Sequence, residues 1–229
     1  MTSYLLFLLV ILYASIPPVT LFYCLKWIYK DHWIYGWHLF YFFKWVFTLS
    51  FLPLLTMQNL NLGLIPQHWY SQAALLITCL LAVLGLRYAI KKKVLYFYLQ
   101  GVYASFMEEI LYRGILFALV QALWNNVWVT LFITSFLFGT WHLKNYYWSG
   151  KRGIINQFFY TSLIYGPIFA LLRIFSGDIY LAVLFHFITD ATCALAPDWM
   201  RGWLVQGGRG GNYMDTYRNI TKENKHISF

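Results

Sequence analysis

Apolar runs of about 20 residues recur along most of this 229-residue chain, and each is long enough as a helix to cross about 30 Å of hydrocarbon. Sixty per cent of the residues are hydrophobic and only 11% are charged, against roughly 25% charged in soluble proteins. A soluble core of this size has no need of such continuous apolar length. The expectation is an all-α polytopic membrane protein of about seven transmembrane helices, spanning near 4–25, 34–57, 72–90, 95–124, 126–143, 154–173 and 178–197. Pro17 and Pro18 are expected to kink the first span, and Asn125-Asn126 and Ser176-Gly177 mark ends of later ones.

The distribution of charge supports that count. Lys26 and Lys30 fall between spans 1 and 2; Arg87, in the last turn of span 3, clusters with Lys91, Lys92 and Lys93 between spans 3 and 4; Lys144, Lys151 and Arg152 fall between spans 5 and 6. The tail carries Arg201, Arg209, Arg218, Lys222 and Lys225, and only Lys44, Arg113 and Arg173 lie elsewhere among the 17 basic residues. Lysine and arginine gather on the cytoplasmic side, so the N-terminus is expected outside and the C-terminus in the cytoplasm. Scattered through short loops in this way, the formal charge of +9 forms no patch for nucleic acid. Cys24, Cys79 and Cys193 sit in separate apolar segments without disulfide or metal spacing. The first apolar run lacks a positive n-region and reads as a retained span. Three regions follow: helices 1–3 over residues 1–94, a four-helix core over 95–197, and a polar, glycine-rich cytoplasmic tail over 198–229.

Within the core lie groups that lipid penalises. Of eight acidic residues, Glu108, Glu109 and Asp190 fall well inside spans of this core, away from their outer ends, and His142 and His186 join them. An ionisable group at the bilayer centre costs roughly 2.5–3.5 kcal/mol on insertion scales, so such groups face the bundle interior and mark function. In "MEEILYRG", Glu109 and Arg113 are four apart and share a helix face, while Glu108 is turned about 100° away. Arg113 is thus expected to hold Glu109 and leave Glu108 for work as a general base. "FGTWH" puts Phe138 and His142 on one face of span 5, and "HFITD" puts His186 and Asp190 on one face of span 7, where the carboxylate can orient the imidazole. Lys44 lies near a span end and is expected to snorkel to the surface.

These stretches fit EExxxR, FxxxH and HxxxN/D, in that order and on separate spans. Over about residues 95–197 the chain resembles the CAAX protease and bacteriocin-processing (CPBP, or Abi) family of intramembrane endopeptidases, which includes the type II prenyl-protein proteases. The resemblance implies peptide-bond hydrolysis by glutamate-activated water, with a membrane-embedded or lipidated peptide as substrate. Glu108 would be the base, Glu109 its partner tied to Arg113, His142 a water-holding group, and His186 with Asp190 the oxyanion-stabilising pair. Many prenyl-protein proteases have asparagine where this chain has Asp190; an amide can donate to an oxyanion and an ionised aspartate cannot. No cofactor is expected: two histidines and a glutamate can ligate zinc, but HExxH is absent and the family resembled is metal-free. The alternative is a non-proteolytic membrane binding or immunity protein, or a proton-coupled carrier, using the same carboxylates.

One mismatch accompanies the seven spans. Glu108 and His142 lie about 24 Å from the outer ends of their spans, and His186 only about 12 Å from the start of span 7. Tilt, or a deeper start to span 7, has to reconcile them.

Overall fold

A computed structural model describes residues 2–15, 28, 33–56, 59–92 and 95–196. The expected kink at Pro17-Pro18, the basic residues Lys26, Lys30 and Lys93, and the tail from residue 198 lie outside them. Among the described residues the regular elements are helical and no strand occurs. In chain order they are α1 (Thr2–Ser15), α2 (Trp33–Ser50), α3 (Leu52–Thr56), α4 (Trp69–Lys91), α5 (Leu95–Glu109), α6 (Phe117–Trp124), α7 (Val127–Trp141), α8 (Tyr146–Tyr160), α9 (Gly166–Ser176) and α10 (Tyr180–Asp190). Ile110–Leu116 is a π-helical segment joining α5 to α6, and Thr161–Tyr165 another joining α8 to α9.

Two stretches, Trp69–Lys91 and Gly153–Ser176, are long and apolar enough to cross a membrane; Val127–Trp141 and Tyr180–Asp190 are apolar but shorter. On α4, Leu76, Ile77, Leu80, Val83 and Leu84 are exposed, an arrangement suited to hydrocarbon. The turns read from sequence are present in detail. Asn125 closes α6 in the left-handed region at φ 45°, and the Asn126 side chain caps α7 by accepting from the Trp128 and Val129 amides. Gly177, at φ 72°, closes α9.

Helix α10 packs against α4, α5 and α9, while α5 also meets α2. The largest apolar cluster joins Met107, Leu111, Ile115 and Leu119 from the α5–α6 rod to Phe138, Phe169 and Ala182. Close backbone approach makes the central contact possible. A Cβ on Gly101 of α5 would lie 2.5 Å from the Ala191 Cα just after α10, so glycine there lets the two helices meet.

Residues 59–68, between α3 and α4, cover the start of α10. The Ile179 amide donates to the Gly63 carbonyl at 3.1 Å, and the Tyr180 hydroxyl to the Leu64 carbonyl at 2.5 Å. The buried Asp178 carboxylate accepts from the Gln67 and Tyr180 amides at 2.9 and 3.1 Å. The first turn of α10 is therefore enclosed by protein. The sequence pattern gave no sign of this cover.

The apolar stretch Gly153–Ser176 coincides with the sixth span expected from near 154; the helix that carries it is already formed at Tyr146, so the lysine, arginine and glycine residues of 150–153, which resemble a loop, occur in a helix. One expectation changes. Lys44, expected to snorkel, is only 2% exposed. Its ammonium lies over the indole face of Trp141, where ring electrons take the place of solvent.

Candidate active site

The site forms where the α5–α6 rod, the end of α7, the start of α9 and the middle of α10 converge. Its framework is set by the first π-helical segment, which begins immediately after Glu109. A π segment replaces the i→i+4 ladder with i→i+5 bonds and is often found at functional sites. Backbone groups there need partners from elsewhere, and arginines supply them. The Arg173 Nε donates to the Arg113 carbonyl at 3.1 Å, and its Nη2 to the Asn61 carbonyl at 3.0 Å. Arg113 in turn donates from Nη2 to the Gly166 carbonyl at 3.0 Å, at the end of the second π segment. Pro167 follows in the first turn of α9, and its missing N–H explains why the regular ladder fails there.

Arg113 is fully buried and also reaches Glu109, Nη1 to Oε1 at 3.2 Å. Its guanidinium lies 4.3 Å from the centroid of the Phe138 ring and 5.2 Å from that of Phe169. The same Glu109 oxygen is 2.7 Å from Nδ1 of His186. A carboxylate accepts, so this ring nitrogen carries the proton and Nε2 points away from Glu109. Phe169 stacks on the His186 ring at 5.1 Å and 22°, and Phe138 meets it edge-on. The imidazole is thus held at one nitrogen by Glu109 and across its faces by aromatic side chains.

Glu108 points elsewhere, as the rotation between adjacent helix positions requires. Its Oε1 accepts the Trp141 indole N–H at 2.6 Å. Its Oε2 lies 4.0 Å from Nε2 of His142 and 3.9 Å from Nε2 of His186. The His142 Nδ1 is 2.8 Å from the Phe138 carbonyl; a carbonyl only accepts, so Nδ1 carries the proton and Nε2 presents a lone pair. Both histidine Nε2 atoms therefore face one oxygen of Glu108, too far for direct bonds and near enough to share a small third group.

Asp190, at the end of α10, places Oδ2 3.7 Å from Nε2 of His186, on the opposite ring nitrogen from Glu109. Its side chain is 38% exposed while Glu108, Glu109 and Arg113 are almost fully enclosed. It stands at the edge of the cluster. The six residues singled out in the sequence, Glu108, Glu109, Arg113, His142, His186 and Asp190, are thus gathered in one place. Four residues around them were missed as parts of it: Trp141, Phe169, Arg173 and Lys44. A tryptophan adjacent to His142 and a lone lysine in span 2 were the available signals, and neither is distinctive among 11 tryptophans and 17 basic residues.

Among known proteins, no curated protein and no solved structure matches the chain. A family model does: residues 89–192 match that of the Rce1-like type II CAAX prenyl endopeptidases. The matched segment contains all six clustered residues and leaves α1–α3 and most of α4 outside. Together with the long apolar helices, it identifies a membrane protein. Over residues 89–192 the chain is similar to the CAAX protease family of peptide hydrolases.

Proposed function

We propose that the protein is a seven-span intramembrane endopeptidase, N-terminus outside and C-terminus cytoplasmic, which hydrolyses a peptide bond in a membrane-associated or lipidated substrate. One observation carries this reading: Oε2 of Glu108 faces Nε2 of both His142 and His186 at 4.0 and 3.9 Å. That triangle suits one water, held by the two imidazoles and deprotonated by the carboxylate as it attacks a carbonyl carbon. The Trp141 N–H fixes the other carboxylate oxygen and so aims Oε2 at that water. Glu109 holds the Nδ1 proton of His186, and between the Glu109 and Asp190 carboxylates the ring would be an imidazolium. Its Nε2 proton would be donated to the water oxygen and then to the oxyanion, while the His142 lone pair takes the water's second hydrogen. Asp190 at the open edge would help place the Nε2 proton. Glu108 would then return the proton to the leaving amine.

The reading includes no metal, since the histidines come from separate helices without the HExxH spacing that gives one helix two ligands and a base. The test is cleavage of a farnesylated peptide ending in a CAAX sequence by purified protein in lipid nanodiscs. Glu108→Gln should abolish turnover without altering thermal unfolding, because an amide cannot take the proton. EDTA should leave wild-type turnover unchanged. Full turnover by Glu108→Gln refutes the mechanism; loss with chelator, restored by zinc, replaces it with a metal-dependent one.

A further inference from the structure

Beyond the matched segment, one side chain from the N-terminal half reaches the catalytic carboxylate through a single intermediary. Lys44 lies in α2, outside residues 89–192, and is as enclosed as Glu108, each 2% exposed. Its ammonium lies over the Trp141 indole, itself 2% exposed, and the N–H of that indole is 2.6 Å from Oε1 of Glu108. Three groups from three helices are therefore in successive contact: a cation on the indole face, the indole, and a carboxylate at its N–H edge.

We propose that Lys44 and Trp141 are positioning residues for Glu108. Lys44 draws indole electron density toward its charge and strengthens the N–H as a donor to Oε1, which leaves Oε2 directed at the histidines. A cation on the ring face and an anion at the ring edge both favour the charge distribution of indole, so the three are cooperative. A buried ammonium without compensation is costly, and the ring with the carboxylate beyond it supplies that compensation. The charged and titratable groups around Glu108 are Glu109 and Arg113 along its own rod, His142 at the end of α7, His186 and Asp190 on α10, and Lys44 on α2. Arg113 is bonded to Glu109 and also feels the charge of Glu108; Lys44 is a second cation, set against the indole that donates to Glu108. The N-terminal helices then take part in catalysis instead of only anchoring the core.

This inference rests on Glu108 being the base, and the experiment separates the two claims. Lys44→Met keeps length and removes charge; Lys44→Arg keeps a cation for the ring; Trp141→Phe keeps a ring and removes the N–H. On the farnesylated CAAX peptide, Lys44→Met and Trp141→Phe should each lower kcat by about 10–100-fold, the scale of a misplaced catalytic group. KM should stay near wild type, Lys44→Arg should recover most of kcat, and the double variant should be no worse than the poorer single one. In parallel, thermal unfolding needs no substrate: the shift in Tm caused by Lys44→Met should shrink or reverse in a Glu108→Gln background. Wild-type kcat in Lys44→Met, or equal Tm shifts in the two backgrounds, overturns the proposal. Coupled Tm shifts with no peptide cleaved by wild type would refute the proteolytic reading and still uphold the Lys44–Trp141–Glu108 alignment.

Discussion

Arg113 offers the most direct test of how the site is held together, because both its polar contacts and its ring contacts are enclosed. Replacement by methionine removes the 3.2 Å bond to Glu109, the 3.0 Å bond to the Gly166 carbonyl and the guanidinium over Phe138. Breaking one side of a buried ion pair costs about 3–5 kcal/mol, since the other charge remains. Glu109 keeps the His186 Nδ1 as a partner at 2.7 Å, which favours the lower end; the lost ring contact adds roughly 0.5–2 kcal/mol. The net expectation stays at about 3–5 kcal/mol, or roughly 6–20 °C in Tm for a chain of this length.

The cause can be separated from the cost. With Glu109→Gln already in place, no anion is left stranded, and Arg113→Met then removes mainly the bond to Gly166, about 1.5–3 kcal/mol for a charged donor. The double-mutant cycle, read by thermal unfolding in detergent and by urea midpoint in nanodiscs, should show a coupling of about 2 kcal/mol. Equal costs of Arg113→Met in the two backgrounds would refute the assignment of Arg113 as the counter-ion of Glu109. Its role would then be confined to the π-helical backbone.

Three further outcomes follow from particular contacts. Gly63→Ala should destabilise by about 1–3 kcal/mol and lower turnover, since Gly63 sits at φ 63° and a Cβ would lie 2.6–2.8 Å from the Arg173 guanidinium that holds the Arg113 carbonyl; unfolding and kcat measured together check it. Gly101→Val should abolish activity in protein that still inserts, because its Cβ would meet the Ala191 backbone at 2.5–2.6 Å and push α10, with His186, off Glu109; membrane fractionation alongside peptide cleavage reads both. Asp190→Asn should retain turnover within about threefold, the amide being able to donate to an oxyanion where an ionised carboxylate cannot. Asp190→Ala should fall well below both in the same kcat comparison.

The cluster was legible because the bilayer makes polar residues conspicuous. Glu108, Glu109, His142, His186 and Asp190 stand in apolar runs, and i, i+4 spacing assigns partners on each helix without knowledge of the fold. What lies across helices carries no such mark. The bond from His186 Nδ1 goes to Glu109, 77 residues away, while its helix neighbour Asp190 stands at the other nitrogen. The cover formed by residues 59–68 reads as an ordinary loop, because its bonds to Asp178, Ile179 and Tyr180 are mostly made by backbone groups that every sequence possesses. The π-helical segments were equally silent: Pro167 hints at the second, but nothing in "ILYRGIL" announces the first.

Lys44 shows why a single charged residue in an apolar run is the hardest case. Snorkelling and burial begin from the same pattern, a long aliphatic stem near a span end, and differ only in what the ammonium meets. Snorkelling requires water or headgroups within the reach of the side chain; burial requires a partner that a neighbouring helix must supply. Trp141 is that partner, and its own N–H is engaged by Glu108. A lysine serving only to anchor α2 at a membrane surface would gain nothing from an enclosed site. Its burial on α2, against the residue preceding His142, is explained by a requirement of the carboxylate beyond the indole.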